Sequence, residues 1–571
     1  MRILLVAGAY NSLTQRVHAE LRDRRHAVAV EVTPHGSAVR AAVQRHRPDL
    51  VVAPLLKAVV PRDVWTACTC LIVHPGPVGD RGPSSLDWAI DEDVDAWGVT
   101  VLQAAEEMDA GDVWATVGFP VPRVAKSDLY RNEVSDAAIE AVLLAVDRFA
   151  SGNYVPRPQS GLRQTVAART RPYFGQAMRR ISWHDDSTET VLRKLRGADS
   201  QPGVRDELLG GEWFLHGGHA EDALRGRPGE LLATRAGAVC RATADGAVWI
   251  PEVRARRGPG LPRACKLPAT LALADRLPSL PEIPAPLYPA EGHGTWSDIH
   301  YREEGPVGVL SFSFPGGAMS TGHCRRLLDA YRAACSRPTA VLVLGGSRDF
   351  LSNGIHLNVI EAAADPAAES WANINAMNDL VEAVLTTTDR LVVSAIGGNA
   401  AAGGVMLALA ADEVWCRSGS VLNPHYRRMG LYGSEYWTYT LPRRVGAPMA
   451  KRLTEEARPV TAAGAQSMGL VDRVVNCGPQ DFTAEVTRLA ARLAALPTAQ
   501  LRVVTKKAES ERRASTKPLA AYRAEELAHM LRTFTAPEAP YHALRRAFVR
   551  KQDAPADFGS EGAVAARPAD C

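Results

Sequence analysis

Short apolar runs alternate with amphipathic stretches through the first 120 residues. RILLVAG (2–8), AVAVEV (27–32) and DLVVAPL (49–55) read as strands. LTQRVHAELRDRR (13–25) and SAVRAAVQRHR (37–47) read as the helices between them. TCLIVH (69–74) and WGVTVLQAA (97–105) follow as further strands. This order predicts a mostly parallel, Rossmann-type α/β sheet. NEVSDAAIEAVLLAVDRFA (132–150) reads as a helix. Residues 175–255 predict a small α+β module, with a capped helix in ISWHDDSTETVLRKLRG and strands with glycine turns in GELLATRAGAVCRATADGAVWI. A second α/β unit follows, with strands in GPVGVLSFSF, TAVLVLGG, RLVVSAIGG, DEVWCRS and LVDRVV.

The expected fold class is therefore α/β multidomain. Residues 1–150 form the N-terminal domain, 151–255 the α+β part and 256–295 a Pro-rich linker. Residues 296–480 form the second core, 481–551 C-terminal helices and 552–571 a disordered tail.

Composition changes this picture little. The chain has 571 residues, 23% of them charged, and a mean hydropathy of −0.12. No apolar run approaches the length of a membrane span. MRILLVAGAYNS is too short and too soon polar for a signal peptide, so a cytoplasmic location is expected. The net charge of +3 argues neither for nor against nucleic acid. Small-molecule substrates are the expected partners, without nucleic acid or membrane. The nine cysteines are scattered, Cys68 and Cys70 are too close for Cys-x-x-Cys chemistry, and no metal site is expected. Gly8-Ala9-Tyr10 after the first strand breaks any G-x-G-x-x-G, which disfavours a dinucleotide.

Two constellations carry chemistry. The first is His74, at a strand end before the loop PGPVGDRGPSS, with Asp109 in a later Asp-Ala-Gly turn. An imidazole exchanges protons near neutral pH, and a carboxylate orients it or works through water. A structural pair is the alternative. The second is a pair of glycine turns in FLSNGIHLNVIE and GGNAAAGGVMLALA. Each stands where a strand gives way to a helix, so backbone N–H groups there can bind an oxyanion. Tight helix–strand packing is the alternative.

DLVVAPLLKAVVPRDVW, the His-Pro strand end, the Arg-Gly loop and MDAGD together resemble the tetrahydrofolate-dependent formyltransferases. ISW, LRGADSQPG and RPGELLA resemble the C-terminal domain of the methionyl-tRNA enzyme of that group. The resemblance implies that His74 and Asp109 flank the formyl group of 10-formyltetrahydrofolate. It implies that the pterin lies near Lys57, Ala58 and Val59 and near Glu106, Glu107 and Met108. Arg81 in the loop is a further candidate. Those enzymes carry Asn-x-His, and here Ile72 stands at the asparagine position.

Residues 300–480 resemble the crotonase (enoyl-CoA hydratase/isomerase) superfamily in the order and spacing of the glycine turns, which implies a ββα spiral. The resemblance implies an oxyanion hole from the N–H groups of Ile355 and Gly403, acting on a coenzyme A thioester. The two hydratase glutamates are replaced by Met406 and His425. NPHYRRMGLYGSEYWTYTLPRRVG supplies Tyr426, Glu435 and Tyr439 instead. Arg179, Arg180, Arg263 and Lys266 are candidates for the coenzyme A phosphates.

HPG…GDRGPSSLDWAI, FLSNGIHLNVIE and NPHY…LYGSEYWTY resemble the HypX (HoxX) hydrogenase maturation factors along nearly the whole chain. That resemblance implies formyl transfer from 10-formyltetrahydrofolate to coenzyme A. Decarbonylation of formyl-CoA to carbon monoxide would follow, with CO becoming an iron ligand of [NiFe]-hydrogenase. Tyr426 and Glu435 would carry the second step. Hydrogenase maturation proteins are then possible partners. A pantetheine arm about 15–20 Å long would reach between the sites through an internal channel. The alternatives are a bifunctional formyltransferase/acyl-CoA enzyme of another pathway and a non-catalytic hydrogenase assembly scaffold.

Overall fold

The computed structural model describes residues 1–33, 35–56, 58–162, 168–288 and 294–552. Most of the expected tail, residues 553–571, lies outside the described residues. The first unit is a six-stranded sheet of β1 (Arg2–Ala7), β2 (Ala27–Val32), β3 (Leu50–Leu55), β4 (Cys70–His74), β5 (Ala96–Gln103) and β6 (Val113–Pro120). Its order is β2-β1-β3-β4-β5-β6. The pairs through β4 are parallel, and β5 and β6 close the sheet antiparallel. β6 was not anticipated from the sequence, because its outward positions Thr116 and Gly118 break up the apolar run. Valines, leucines and isoleucines of β1, β3 and β4 are nearly all buried, as a sheet covered on both faces requires.

The helix predicted at 132–150 is Ser135–Ser151, entered through a π turn at Tyr130–Val134. The α+β module holds two four-stranded sheets and helix Thr188–Ala198, which Ser187 caps through its side chain at 3.3 Å. The Pro-rich stretch expected as a linker is not wholly one. Lys266–Pro268 joins a module sheet as an edge strand beside Glu252–Ala255, the place where a proline is tolerated. Residues 289–293 of that stretch lie outside the described residues.

In the second core, Ile299–Glu304, Val307–Phe312, Val341–Gly345, Leu391–Ile396, Glu413–Arg417 and Arg473–Val475 follow one another in space as in sequence. All pairs but the first are parallel. A small sheet of Ala400–Ala401, Val421–Asn423 and Val460–Thr461 stands beside the glycine turns. Helices Phe482–Ala494, Ala499–Thr516, Leu519–Thr535 and Pro540–Arg550 complete the described part of the chain.

The first and last units are bolted together by charges. Arg348 meets Asp128 at 3.0 Å and Glu133 at 2.6 Å. Arg131 meets Asp349 at 2.7 Å, and Arg417 meets Asp136 at 2.8 Å. The first-unit residues all come from the π turn and its flanks. No described helix is long and apolar enough to cross a membrane.

Candidate active sites

His74 ends β4 at the carboxyl edge of the sheet, and its ring is nearly buried. Nδ1 stands 3.4 Å from Asp109 Oδ1. Nε2 stands 2.9 Å from Asp80 Oδ2, so the ring lies between two carboxyl groups. Asp80 was not among the residues expected from the sequence. Its other oxygen accepts from Arg171 Nη1 at 2.9 Å, and Arg171 Nη2 reaches Glu92 at 2.7 Å. Gly76 makes this contact possible: a Cβ there would collide with both the His74 ring and the Asp80 carboxylate. Asp109 sits at φ +55°, the left-handed turn an aspartate tolerates. Gln159 braces it, donating to the carbonyls of Asp109 (2.8 Å) and Gly111 (3.0 Å) and accepting from Gly79 N–H. Asp109 Oδ2 accepts from Gly82 N–H at 3.2 Å.

The candidate pterin residues Ala58, Val59, Glu106, Glu107 and Met108 lie at the surface near this site; Val59 is 60% and Met108 55% exposed. Lys57 lies outside the described residues. Arg81 is held to Glu107 at 2.6 Å. Ile72 packs half-buried against the cluster of Leu4, Val6, Val51 and Cys70, an apolar place for a position where the resemblance expects an amide.

The second site is built on the glycine turns. Gly354 N–H bonds Ser352 Oγ, and Gly354 C=O takes Met319 N–H. Gly403 starts helix Gly403–Leu409. Among the described residues, neither Ile355 N–H nor Gly403 N–H donates to a protein acceptor, as the oxyanion reading requires. The Glu435 carboxyl lies against Gly403, where a Cβ would collide with it. Tyr426 donates its hydroxyl to Glu435 Oε2 at 2.7 Å, and Ser434 N–H donates to the same oxygen at 3.1 Å. Burial pushes the Glu435 carboxyl up to about 7; the Tyr426 hydrogen bond opposes this and the Glu526 charge adds to it. Burial also raises the Tyr426 phenol. His425 bonds Asn423 C=O through Nδ1 at 3.0 Å, and burial pushes it down to about 4, so it is neutral. Met406 is buried core.

Tyr439 takes the place of a packed aromatic, as its helical spacing favours. Its ring packs edge-on against Tyr522 at 5.2 Å, with the Arg443 guanidinium over its face. Tyr439 lies past the helix start at Trp437, so the turn of the helix carries it away from the glycine turns. Arg179 is a correction: it is buried against Asp87 and Phe174. Arg180 does not line the cavity either.

That cavity measures about 1050 Å³. Its walls include Gly354, Ile355, Gly403, His425, Tyr426 and Glu435. It continues past Arg131, Arg254, Arg263 and Lys266 to Tyr10 and Asn11, just beyond the carboxyl end of β1, and to Gln15 in the first turn of the helix Ser12–Asp23. His74 does not line it. Only β3 separates β1 from β4, so the two strand ends stand two spacings, about 10 Å, apart.

Residues 309–555 match the enoyl-CoA hydratase/isomerase family, and residues 175–262 match the formyl transferase C-terminal domain. The chain is 48% identical over 552 residues to the hydrogenase maturation factor HoxX of Bradyrhizobium diazoefficiens, covering 96% of this chain and 95% of that one. It resembles the crystal structure of HypX from Aquifex aeolicus in complex with tetrahydrofolic acid, with a TM-score of 0.91 and 42% identity, over 96% of each chain. A methionyl-tRNA formyltransferase of Syntrophus aciditrophicus is 24% identical over 194 residues, 33% of this chain and 60% of that protein.

Proposed function

The chain belongs to the HypX/HoxX family of hydrogenase maturation factors, and from that premise we propose that it makes carbon monoxide in two steps. At the first site, the formyl group of 10-formyltetrahydrofolate passes to the thiol of coenzyme A. His74 takes the thiol proton, Asp109 steadies the tetrahedral intermediate through the ring, and the C–N10 bond breaks with its pair going to N10, which receives the proton back from His74 as tetrahydrofolate leaves. Asp80 holds the ring by Nε2. The pterin lies along Ala58, Val59 and Glu106–Met108.

At the second site, the N–H groups of Ile355 and Gly403 bind the formyl oxygen of formyl-CoA. Glu435 takes the formyl hydrogen as a proton, and the C–H pair stays on carbon. The C–S pair leaves with sulfur, releasing CO. Tyr426, relayed through Glu435, returns a proton to the thiolate, which regenerates free coenzyme A. A carboxyl poised at about 7 can both take and return that proton near neutral pH. The buried site keeps water from diverting formyl-CoA to formate. Coenzyme A occupies the long cavity with Arg263 and Lys266 near its phosphates, and the CO becomes an iron ligand of [NiFe]-hydrogenase.

One observation carries this reading. A buried Tyr–Glu pair lies beside Gly403 and shares with Gly403 and Ile355, whose N–H groups have no acceptor among the described residues, a cavity that runs on to the carboxyl edge of the formyltransferase-like sheet. The test is purified protein with 10-formyltetrahydrofolate and coenzyme A, with haemoglobin absorbance reporting CO. CO should form while coenzyme A turns over. Formyl-CoA or formate accumulating without CO would overturn the second step.

A further inference from the structure

We propose that Glu526 is a positioning residue for Glu435: it holds the loop that presents the Glu435 carboxyl, and its own charge governs when that carboxyl ionises. The proposal rests on the reading of Glu435 as the group that takes the formyl proton.

The loop has a conformation that needs support. Glu435 and Tyr436 are consecutive non-glycine residues at φ +60° and +59°. Side chains resist that region, and two in a row cost more than one. The helix that follows, Trp437–Val445, has no side-chain cap of its own at Tyr436. Glu526 supplies it from helix Leu519–Thr535. Its Oε2 accepts from Tyr436 N–H at 2.9 Å, and its Oε1 accepts from Thr438 N–H at 2.8 Å and from Thr438 Oγ1 at 2.5 Å. A carboxylate suits that end of a helix. Asn378 completes the brace, accepting from Glu435 N–H at 2.8 Å and exchanging hydrogen bonds with Ser434 Oγ. Ser434 joins the two acids: its N–H donates to Glu435, and its hydroxyl lies 3.4 Å from Glu526 Oε2.

Glu526 is fully buried and Glu435 nearly so. Among the described residues, neither has an ion-pair partner. The groups facing Glu435 are Tyr426, Cys324 of helix Thr321–Cys335, and Glu526. Those facing Glu526 are Glu435, Tyr426 and Tyr432. Arg523, one helical turn from Glu526, is committed to Asp379 at 2.6 Å and Glu382 at 2.9 Å. With no cation to neutralise them, two neighbouring buried carboxyls titrate as a pair, and ionising one delays the other. Burial raises both to about 7. The pair therefore holds less than its full charge near neutrality, which keeps a proton available beside the thioester.

The test uses the full chain. CO release from supplied formyl-CoA is measured against pH in wild type, Glu526→Gln and Glu526→Asp. In parallel, carboxyl carbons of ¹³C-glutamate-labelled protein are titrated by NMR. With Glu526→Gln, the acid limb of kcat and the Glu435 carboxyl titration should both fall by about one pH unit, a tenfold change in ionised fraction. Glu526→Asp keeps the charge, so it should lower kcat through poorer positioning and leave the limb in place. Coupling is reciprocal, so in Glu435→Gln the Glu526 titration should fall by the same amount, which decides the matter if Glu526→Gln does not fold. Unmoved titrations in these variants would overturn the proposal. Shifted titrations in a protein that makes no CO would leave the coupling standing and sink the functional reading instead.

Discussion

Asp80→Asn offers the sharpest test of the first site. The Asp80 carboxylate accepts two hydrogen bonds at 2.9 Å, from His74 Nε2 and Arg171 Nη1, with its side chain only 1% exposed. An arginine can only donate, so the new amide turns its oxygen to Arg171 and its NH₂ to His74. Nε2 must then accept. The ring hydrogen moves to Nδ1, the nitrogen that faces Asp109 at 3.4 Å. The lone pair proposed to take the thiol proton is thereby lost. General base catalysis contributes roughly 10²–10⁴-fold, so formyl transfer should fall at least about 100-fold. Arg171 keeps Glu92 at 2.7 Å, which limits the damage to stability to about 3 kcal/mol.

The assay follows tetrahydrofolate release from 10-formyltetrahydrofolate in the presence of coenzyme A. A second arm supplies formyl-CoA and follows CO. The first rate should collapse while the second stays at the wild-type level, because Asp80 lies outside the cavity around Tyr426 and Glu435. A folded Asp80→Asn protein that transfers formyl at the wild-type rate would refute the assignment of Asp80 as the group that fixes the His74 tautomer.

Other predictions follow the same logic. Gly403→Ala places a methyl against the Glu435 carboxyl, so CO release should fall by about 10²-fold or more while formyl transfer persists; matching losses in both steps would count against it. Glu435 and Glu526 have folded values of about 7 against an ordinary 4.5. The folded state thus holds protons that the unfolded chain loses first, and stability should fall as pH rises from 4.5 to 7, by at most about 3 kcal/mol per group. Glu435→Gln should flatten that fall in Tm. Arg348→Ala leaves Glu133, with its side chain 5% exposed, without its cation and should cost about 3 kcal/mol, with calorimetry showing the two halves unfolding in separate steps.

Much of the fold was legible because period and chemistry agreed. In β1, β3 and β4, and in Val341–Gly345 and Leu391–Ile396, apolar runs, broken only by Ser394 in the last, meet glycine or a polar turn at their ends. Lys266–Pro268 was hidden because proline density signals a linker and an edge strand tolerates it equally well. At the sites, His74, Asp109, Tyr426 and Glu435 stood out because their motifs are contiguous in the chain. Their supports did not. Asp80 lies six residues from His74 in a loop whose closure only Gly76 permits, and Arg171 arrives from 91 residues beyond Asp80. Asn378 and Glu526 look like ordinary polar positions of amphipathic helices until the fold buries them. Tyr439, an aromatic at helical spacing that reads as core before it reads as site, packs against Tyr522.

The placement of the ion pairs between the first and last units bears on how two old folds could share one intermediate. If formyl-CoA forms at one site and reacts at the other, the units must keep their register within the reach of a flexible arm. The contacts that hold them, Arg348 with Asp128 and Glu133, Arg131 with Asp349, and Arg417 with Asp136, cluster on one helical segment that includes the π turn Tyr130–Val134. Arg131, Asp128, Arg348 and Asp349 also line the cavity. The same charges therefore serve as the joint and as part of the passage wall. Partly buried pairs of this kind are poor stabilisers compared with apolar packing, yet they specify one docking geometry. An apolar interface would tolerate sliding, and sliding would misalign a cavity whose walls come from both units.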